Sequence, residues 1–411
     1  MTIINQPFQG QLGEILINEI HKNYTELTIF SAFAKNSGIL RLKKSLENFK
    51  EQNGTINAFI GIDLDGTSYE ALLNLFHLCD NLYVIHSENF STTYHSKIYL
   101  LKNDSTAWCA IGSNNLTGGG LWSNFESCFI QTFDLIQYPS GLDNVTALIS
   151  KYTDPSYQCS CRISSIDDIH VLLDAGYISK ESVQKTASAE RQTKAKETRK
   201  KISLFGSEKA VLPKISIENS GTSRLFPEQN GKKFMEYTID MSREAPAFTN
   251  EQFWFETRAF TGGSSNILDL SKLGLIMEGS VFGTPYEYPD PKYMYGGVRF
   301  FDLDPNDTAV TKDITINYQG KDYYPSTIKF TPGNGSWRIQ LKGSPNDNTE
   351  DLSRFGGRGD FVHKILLFEK ISSYYYALSS LDETELDYIK RISRVWAFNG
   401  KNKGSKAYGM L

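Results

Sequence analysis

Three short stretches decide the reading of this chain: Tyr94-His-Ser-Lys-Ile-Tyr-Leu-Leu101, Ile111-Gly-Ser-Asn-Asn-Leu-Thr-Gly-Gly-Gly120 and Asn124-Phe-Glu-Ser127. His95 and Lys97 stand two apart at the head of an apolar run. On a strand they project from one face, so that an imidazole and an ammonium share one pocket. The second stretch follows another apolar run, Ala107–Ile111, with a loop of small residues whose backbone N–H groups can approach anionic oxygens closely. Glu126 then stands at the mouth of a third strand.

Working outward, the region before and around these stretches alternates helical and strand-like patterns, as an α/β domain does. Leu12, Ile15, Leu16 and Ile20 have helical spacing within Gln11–Lys22. Ser37–Glu51 and Tyr69–Cys79 are predicted helices. Leu27–Phe33, Ile56–Ile62, Leu82–Ile85, Lys97–Leu101, Ala107–Ile111 and Cys128–Thr132 are predicted strands of a mixed sheet, with anion-handling loops at the strand ends.

The chain has 411 residues, longer than one core usually grows, which predicts two domains. The five cysteines are an odd number at low density, which argues against a disulfide framework. Cys159-Ser-Cys161 with His170 fits no common zinc spacing, so no metal or other cofactor is expected. The amino terminus lacks the basic and apolar regions of a secretion signal, and no stretch of about 18 apolar residues occurs; a cytoplasmic protein without a membrane partner is expected.

Net charge is −4 overall but unevenly spread. Residues 1–179 hold 10 Lys/Arg against 18 Asp/Glu, residues 180–214 hold 10 against 4, and residues 215–411 hold 23 against 25. Bulk charge therefore announces no polyanion partner in either globular part. Any nucleic-acid contact must come from local patches or from the basic middle segment, read as an exposed connector or a DNA-touching arm. The boundaries expected are 1–178 for the α/β domain, 179–211 for the linker and 212–411 for a second domain.

The order His95, Lys97, Gly112-Ser113-Asn114-Asn115 and Glu126 resembles the half-site of the phospholipase D superfamily. That superfamily's usual Asp five residues after the lysine is absent, since position 102 is Lys. The departure is similar to the metal-independent branch of restriction endonucleases, the BfiI- and NgoFVII-like enzymes. The resemblance implies a mechanism. His95 attacks phosphorus to give a phosphohistidine. Lys97, Asn115 and Ser113 hold non-bridging oxygens, and Glu126 accepts from the other ring nitrogen of His95, fixing its tautomer and supporting its developing positive charge. A second histidine must protonate the leaving oxygen and later activate water. No other histidine has a lysine two residues on, so the resemblance implies a homodimer through the N-terminal domain with one composite site.

From about residue 212 the texture changes to aromatic and β-branched runs punctuated by turn residues. Lys233–Met241, Gln252–Phe260, Gly297–Leu303, Asp313–Tyr318, Thr327–Phe330, Ser336–Lys342 and His363–Ile371 predict an antiparallel sandwich or barrel, with one helix over Glu383–Trp396. Gly335-Ser-Trp-Arg-Ile-Gln-Leu-Lys-Gly343 and Val362-His-Lys-Ile-Leu-Leu-Phe-Glu-Lys370 resemble the C-terminal region of NgoFVII-like enzymes, a DNA-binding pseudobarrel similar to plant B3-type domains. Arg258, Arg299, Arg338, Lys342, Arg354 and Arg358 are the candidate base and phosphate contacts.

The reading is thus a site-specific nuclease acting on double-stranded DNA. Two alternatives stand beside it. One is a phospholipid or general phosphodiesterase of the same superfamily, and the other a DNA-binding subunit of a defence complex that does not cut. A separate ATP-driven helicase subunit is left open, since no G-x-x-x-x-G-K loop occurs in this chain.

Overall fold

The computed structural model describes residues 2–89, 91–187, 252–258, 266–345, 347 and 349–411 in full, and the backbone alone of Lys214–Ile217 and Tyr237–Asp240. Two compact units result, one built on Met1–Glu181 and the other on Lys214–Leu411. The basic connector expected over 179–211 lies outside the described residues from 188 onward; residues 181–187 are helical.

The first unit is an eight-stranded mixed sheet. In chain order its elements are β1 (Thr2–Gln6), α1 (Leu12–Ile20), β2 (Glu26–Ser31), α2 (Asn36–Glu51), β3 (Thr55–Gly61), α3 (Tyr69–Leu78), β4 (Asn81–Ile85), β5 (Lys97–Lys102), β6 (Thr106–Gly112), β7 (Glu126–Asp134), α4 (Asp143–Thr153), β8 (Ser160–Ile163) and α5 (Ile166–Asp174). The spatial order is β1-β7-β6-β5-β2-β3-β4-β8; β2, β3 and β4 run parallel and the other neighbours are antiparallel.

Period two in the strands sorts side chains to two faces. Leu27, Ile29, Ile56, Ala58, Ile60, Tyr99, Leu101 and Trp108 face the apolar stripes of α1, α2 and α3 in the larger core. On the other face Phe30 stacks on Phe59 at 4.8 Å and Phe59 on Tyr83 at 5.2 Å. There α4 covers them with Val145, Leu148, Ile149 and Tyr152. Truncating a fully buried member such as Ile29 to Ala is expected to cost about 2–5 kcal/mol, the transfer term plus the cavity left behind.

The second unit carries a two-stranded ladder, β9 (Lys214–Ile217) with β10 (Tyr237–Asp240), and one twelve-stranded sheet. The sheet is built from β11 (Gln252–Glu256), β12 (Ile267–Leu270), β13 (Leu273–Gly279), β14 (Tyr293–Tyr295), β15 (Thr311–Tyr318), β16 (Lys321–Thr331), β17 (Ser336–Gln340), β18 (Ser344–Pro345), β19 (Lys364–Lys370), β20 (Tyr375–Asp382), β21 (Val395–Asn399) and β22 (Ala407–Met410). It curls into a half-barrel, because β12 at one end of the strand order is followed after two residues by β13 near the other end. Asn399 clasps the junction, accepting from Ser271 N at 2.8 Å and donating to Asp269 O at 2.9 Å. Inside the curl lies an aromatic core containing Phe253, Phe255, Phe300, Phe301, Trp337, Phe368, Tyr376 and Tyr408.

Two sequence expectations are corrected here. Gly297–Leu303, predicted as a strand, is a 3-10 turn over Gly297–Phe301. Val298, Phe300 and Phe301 are all fully buried, which a strand with one buried face cannot achieve, and Asp302 ends the turn in the left-handed region at φ 58°. The helix expected over Glu383–Trp396 stops at Ile392; Ser393 Oγ takes the Ile389 carbonyl at 2.6 Å and accepts from Trp254 Nε1 at 2.8 Å. Val395–Asn399 then pairs with β22 and β13 as strand. The sheet is mostly antiparallel, with one parallel pair, β15 beside β20.

Candidate active site

β5, β6 and β7 are neighbours, so the start of β5, the end of β6 and the start of β7 lie at one edge of the sheet. This register brings Lys97, the Gly112–Asn115 loop and Glu126 together from positions up to 29 residues apart. His95 departs from the expectation of a shared strand face. It precedes β5 and is exposed, whereas Lys97 is the first strand residue and only 5% exposed. Lys97 Nζ donates to the His95 carbonyl at 2.6 Å, so the lysine fixes the backbone carrying the imidazole. Burial pulls the Lys97 ammonium below its ordinary pKa, and the nearby Glu126 carboxylate opposes that shift. The His95 ring also meets the edge of Phe33, with centroids 5.9 Å apart.

Asn115 is oriented by its neighbours. Its Oδ1 accepts from Phe33 N at 3.2 Å, which turns the amide so that Nδ2 is the outward donor. Ser113 Oγ donates to Glu126 Oε2 and accepts from Ser127 N at 3.1 Å. Asn124 Nδ2 donates to the other Glu126 oxygen at 3.2 Å. Among the described residues Glu126 makes no hydrogen bond to His95 of its own chain; its carboxylate is held by the two small polar residues instead.

The loop between β6 and β7 needs its glycines for closeness. A Cβ on Gly120 would fall 2.4 Å from Asn115 O and 2.7 Å from Asn115 N. Asn114 is buried and structural, donating to Gly120 O at 2.8 Å, with Tyr99 OH on its carbonyl at 3.1 Å. Sequence reasoning missed Gln6, at the end of β1. Its Nε2 approaches the carbonyls of Gly119, Gly120 and Asn124 at 3.3, 3.2 and 3.1 Å, and its Oε1 accepts from Leu12 N at 3.1 Å. Nothing local marks a glutamine in Thr-Ile-Ile-Asn-Gln as the clamp of a loop more than a hundred residues on.

Lys102, at the position of the superfamily's missing Asp, pairs with Glu26 Oε2 at 3.1 Å at the far end of β5. Among the described residues no group of three or more His, Cys, Asp or Glu side chains is placed to share a metal ion, the Cys159, Cys161 and His170 set included. No described helix is long and apolar enough to cross a membrane.

The six basic candidates of the second unit differ in how they are held. Arg258 Nε pairs with Glu256 at 2.7 Å and its other nitrogens donate to Gly404 O and Ser405 O. Arg338 Nε pairs with Asp269 at 2.7 Å. Arg299 lies over Tyr295, 4.8 Å from the ring centroid. Arg358 pairs with Glu350 and packs on Phe355. Lys342 is half-buried; Arg354 is exposed and, among the described residues, carries no ion pair.

A sheet that gathers His95-x-Lys97, a Gly-Ser-x-Asn loop and a following Glu at one edge defines a phospholipase D-type domain. More particularly, residues 11–144 match the family described as the NgoFVII restriction endonuclease N-terminal PLD domain, and the N-terminal unit has a phospholipase D-like α/β fold. No curated protein matches the chain significantly. Among solved structures, the chain is similar to Nuc of Salmonella typhimurium, a phospholipase D family member, at 16% identity over 40% of this chain and 97% of that one, TM-score 0.27. It is similar also to NucT from Helicobacter pylori at 11% identity over 36% and 94%, TM-score 0.27. The phosphatidylserine synthase of Haemophilus influenzae Rd KW20 matches at 14% identity over 47% and 45%, TM-score 0.31.

Proposed function

We propose that this protein is a metal-independent restriction endonuclease that hydrolyses double-stranded DNA at or near a specific short sequence through a phosphohistidine on His95. The observation that carries the reading is the meeting of His95, Lys97, Ser113, Asn115 and Glu126 at one edge of β5, β6 and β7.

In the first step a His95 ring nitrogen attacks phosphorus, the P–N bond forms, the P–O bond to the leaving strand end breaks, and that oxygen takes a proton. In the second, water attacks the phosphorus and gives a proton back to the group that donated one in the first step, the P–N bond breaks and His95 is regenerated. Splitting the displacement this way lowers each barrier. Lys97 and the outward Nδ2 of Asn115 stabilise the charge that grows on the non-bridging oxygens, and the burial of Lys97 shields its ammonium from water, so that this donor acts strongly. The proton donor is a histidine of a second copy, which makes the active species a homodimer.

One surface suits that second copy. Ile3 and Ile111 both pair with Phe129 across the sheet, so the three share a face, and Ile3 is 61% exposed. Phe8 and Phe125, both exposed, stack on each other at 5.5 Å, and Phe125 precedes Glu126. An exposed apolar patch bordering a half-complete site is what an isologous contact requires. Selection of DNA falls to the half-barrel, with Arg354, Arg358 and Lys342 as its contacts.

The test is incubation of mixed plasmid and phage DNA with the protein in excess EDTA, beside His95→Ala. Discrete fragments from the wild type alone support the reading. Cutting that disappears in EDTA sinks the metal-free mechanism, and a strictly monomeric active species sinks the composite site.

A further inference from the structure

The segment that carries His95 is held from both sides. Lys97 secures the His95 carbonyl, as above. The other anchor is Asp63, which no motif marks. Asp63 follows β3 in the one-turn segment Asp63–Asp65, where Leu64 and Asp65 both adopt left-handed φ values, 56° and 53°. Two successive non-glycine residues in that region are strained and persist only where the surroundings fix them. The Asp63 side chain is buried, and both of its oxygens are used. Oδ2 accepts from the backbone N–H of Tyr94 at 2.9 Å, and Oδ1 lies 2.5 Å from His86 Nδ1.

His86 is itself fixed. It follows β4, and its backbone N donates to Cys159 O at 3.0 Å. Its ring meets Tyr177 edge-on at 5.1 Å, with Glu88 Oε2 3.8 Å from its other nitrogen. Tyr94 packs so closely on β3 that a Cβ on Gly61 would fall 2.7 Å from its ring. Asp63 thus ties the ends of two parallel strands, β3 and β4, to the residue immediately before His95.

We infer that Asp63 is a positioning residue for His95: its carboxylate, braced by His86, holds the Tyr94 amide and so aims the imidazole without touching the substrate. The inference rests on the nuclease reading above and assigns the strained turn a purpose within it. A group that only aims the nucleophile changes the rate of attack and leaves substrate binding alone.

The test compares wild type, Asp63→Ala, Asp63→Asn and Asp65→Asn in steady-state cleavage of plasmid DNA in EDTA, with thermal melts and hydrogen exchange of the Tyr94 amide. Asp63→Ala is expected to lower kcat about 10²-fold with KM unchanged, the effect of a misplaced reacting group. Its Tyr94 amide should exchange faster. Asp63→Asn keeps an acceptor for Tyr94 and turns its NH2 to His86, so its kcat should stay within about fivefold of wild type. Asp65→Asn, whose carboxylate accepts from Ser179 Oγ at 3.3 Å, should match wild type. Wild-type kcat in folded Asp63→Ala, unchanged Tyr94 exchange, or a loss in folded Asp63→Asn equal to that in Asp63→Ala overturns the inference. A wild type that does not cut sinks the nuclease reading itself, whereas a cutting wild type matched by Asp63→Ala sinks this inference alone.

Discussion

Lys97 in the α/β unit and Lys312 in the half-barrel are both buried, at 5% and 7% exposure, and burial lowers the pKa of each. Their surroundings differ. Lys312 Nζ donates to Phe301 O at 2.5 Å, lies 3.9 Å from Asp302, and sits 4.6 Å from the Tyr374 ring centroid; Lys370 shares the same Asp302. Its charge is spent inside the fold. Among the described residues Lys97 Nζ has one hydrogen-bond acceptor, the His95 carbonyl, and the nearby Glu126 carboxylate is already engaged by Ser113 and Asn124. A buried cation beside an exposed imidazole, with a single hydrogen-bond acceptor among the described residues, is arranged for a visiting anion; a buried cation enclosed by a carbonyl, a carboxylate and a ring is committed to contacts within its own fold.

The largest effect expected from that contrast is at Lys97. Lys97→Ala should lower kcat for DNA cleavage by about 10²–10³-fold, the usual consequence of removing one charge-stabilising donor. Lys312→Met should leave kcat unchanged in the same assay. Equal losses at the two lysines would break the comparison.

Next in size is a pH effect confined to the half-barrel. The Lys312 pKa falls from the ordinary 10.5 to about 8 in the folded protein. Below about pH 8 both folded and unfolded chains carry its charge, and the folded state bears the full burial penalty. As pH rises from 8 to 10.5 the folded lysine has lost its proton while the unfolded one keeps it. Stability attributable to Lys312 therefore rises with pH across that window, by about 3 kcal/mol in total. Urea unfolding at pH 7.5 and pH 10.5 checks this: the difference between the two should be smaller in Lys312→Met than in wild type.

The arginines sharpen the same contrast on the DNA side. Arg354→Ala should weaken binding of the specific duplex by about 1–3 kcal/mol and reduce the salt dependence, as an exposed cation contacting DNA does. Arg338→Ala removes a partly exposed ion pair to Asp269. It should change unfolding free energy by no more than about 1 kcal/mol. Filter binding at two salt concentrations and urea melts separate the two. Stronger loss of DNA binding from Arg338→Ala than from Arg354→Ala would reverse the assignment.

The α/β unit was more legible in the sequence than the half-barrel, for reasons visible in particular residues. Helices α1, α2 and α3 carry their apolar stripes openly, and the strands between them are short β-branched runs. The site segments announced themselves because chemistry-bearing residues stood beside glycines. β1 was not legible: Thr2–Gln6 is short, half polar, and acquires its meaning only by pairing with Glu126–Ile130. Asp63 was hidden likewise, because an aspartate after a strand is an ordinary turn residue until it is seen to hold the Tyr94 amide. In the half-barrel, Gly297–Phe301 has strand composition, yet the concave core demands both Phe300 and Phe301, and tertiary packing overrides propensity.

The proposed mechanism requires that His95 become covalently attached to the DNA phosphate during each turnover. Single-turnover cleavage of DNA carrying labelled phosphate at the cut site, denatured rapidly in alkaline detergent with EDTA present, tests it directly. The account predicts transient label on the peptide containing His95, rising and falling ahead of product. Cutting at normal rate with no label on that peptide at any time would contradict it.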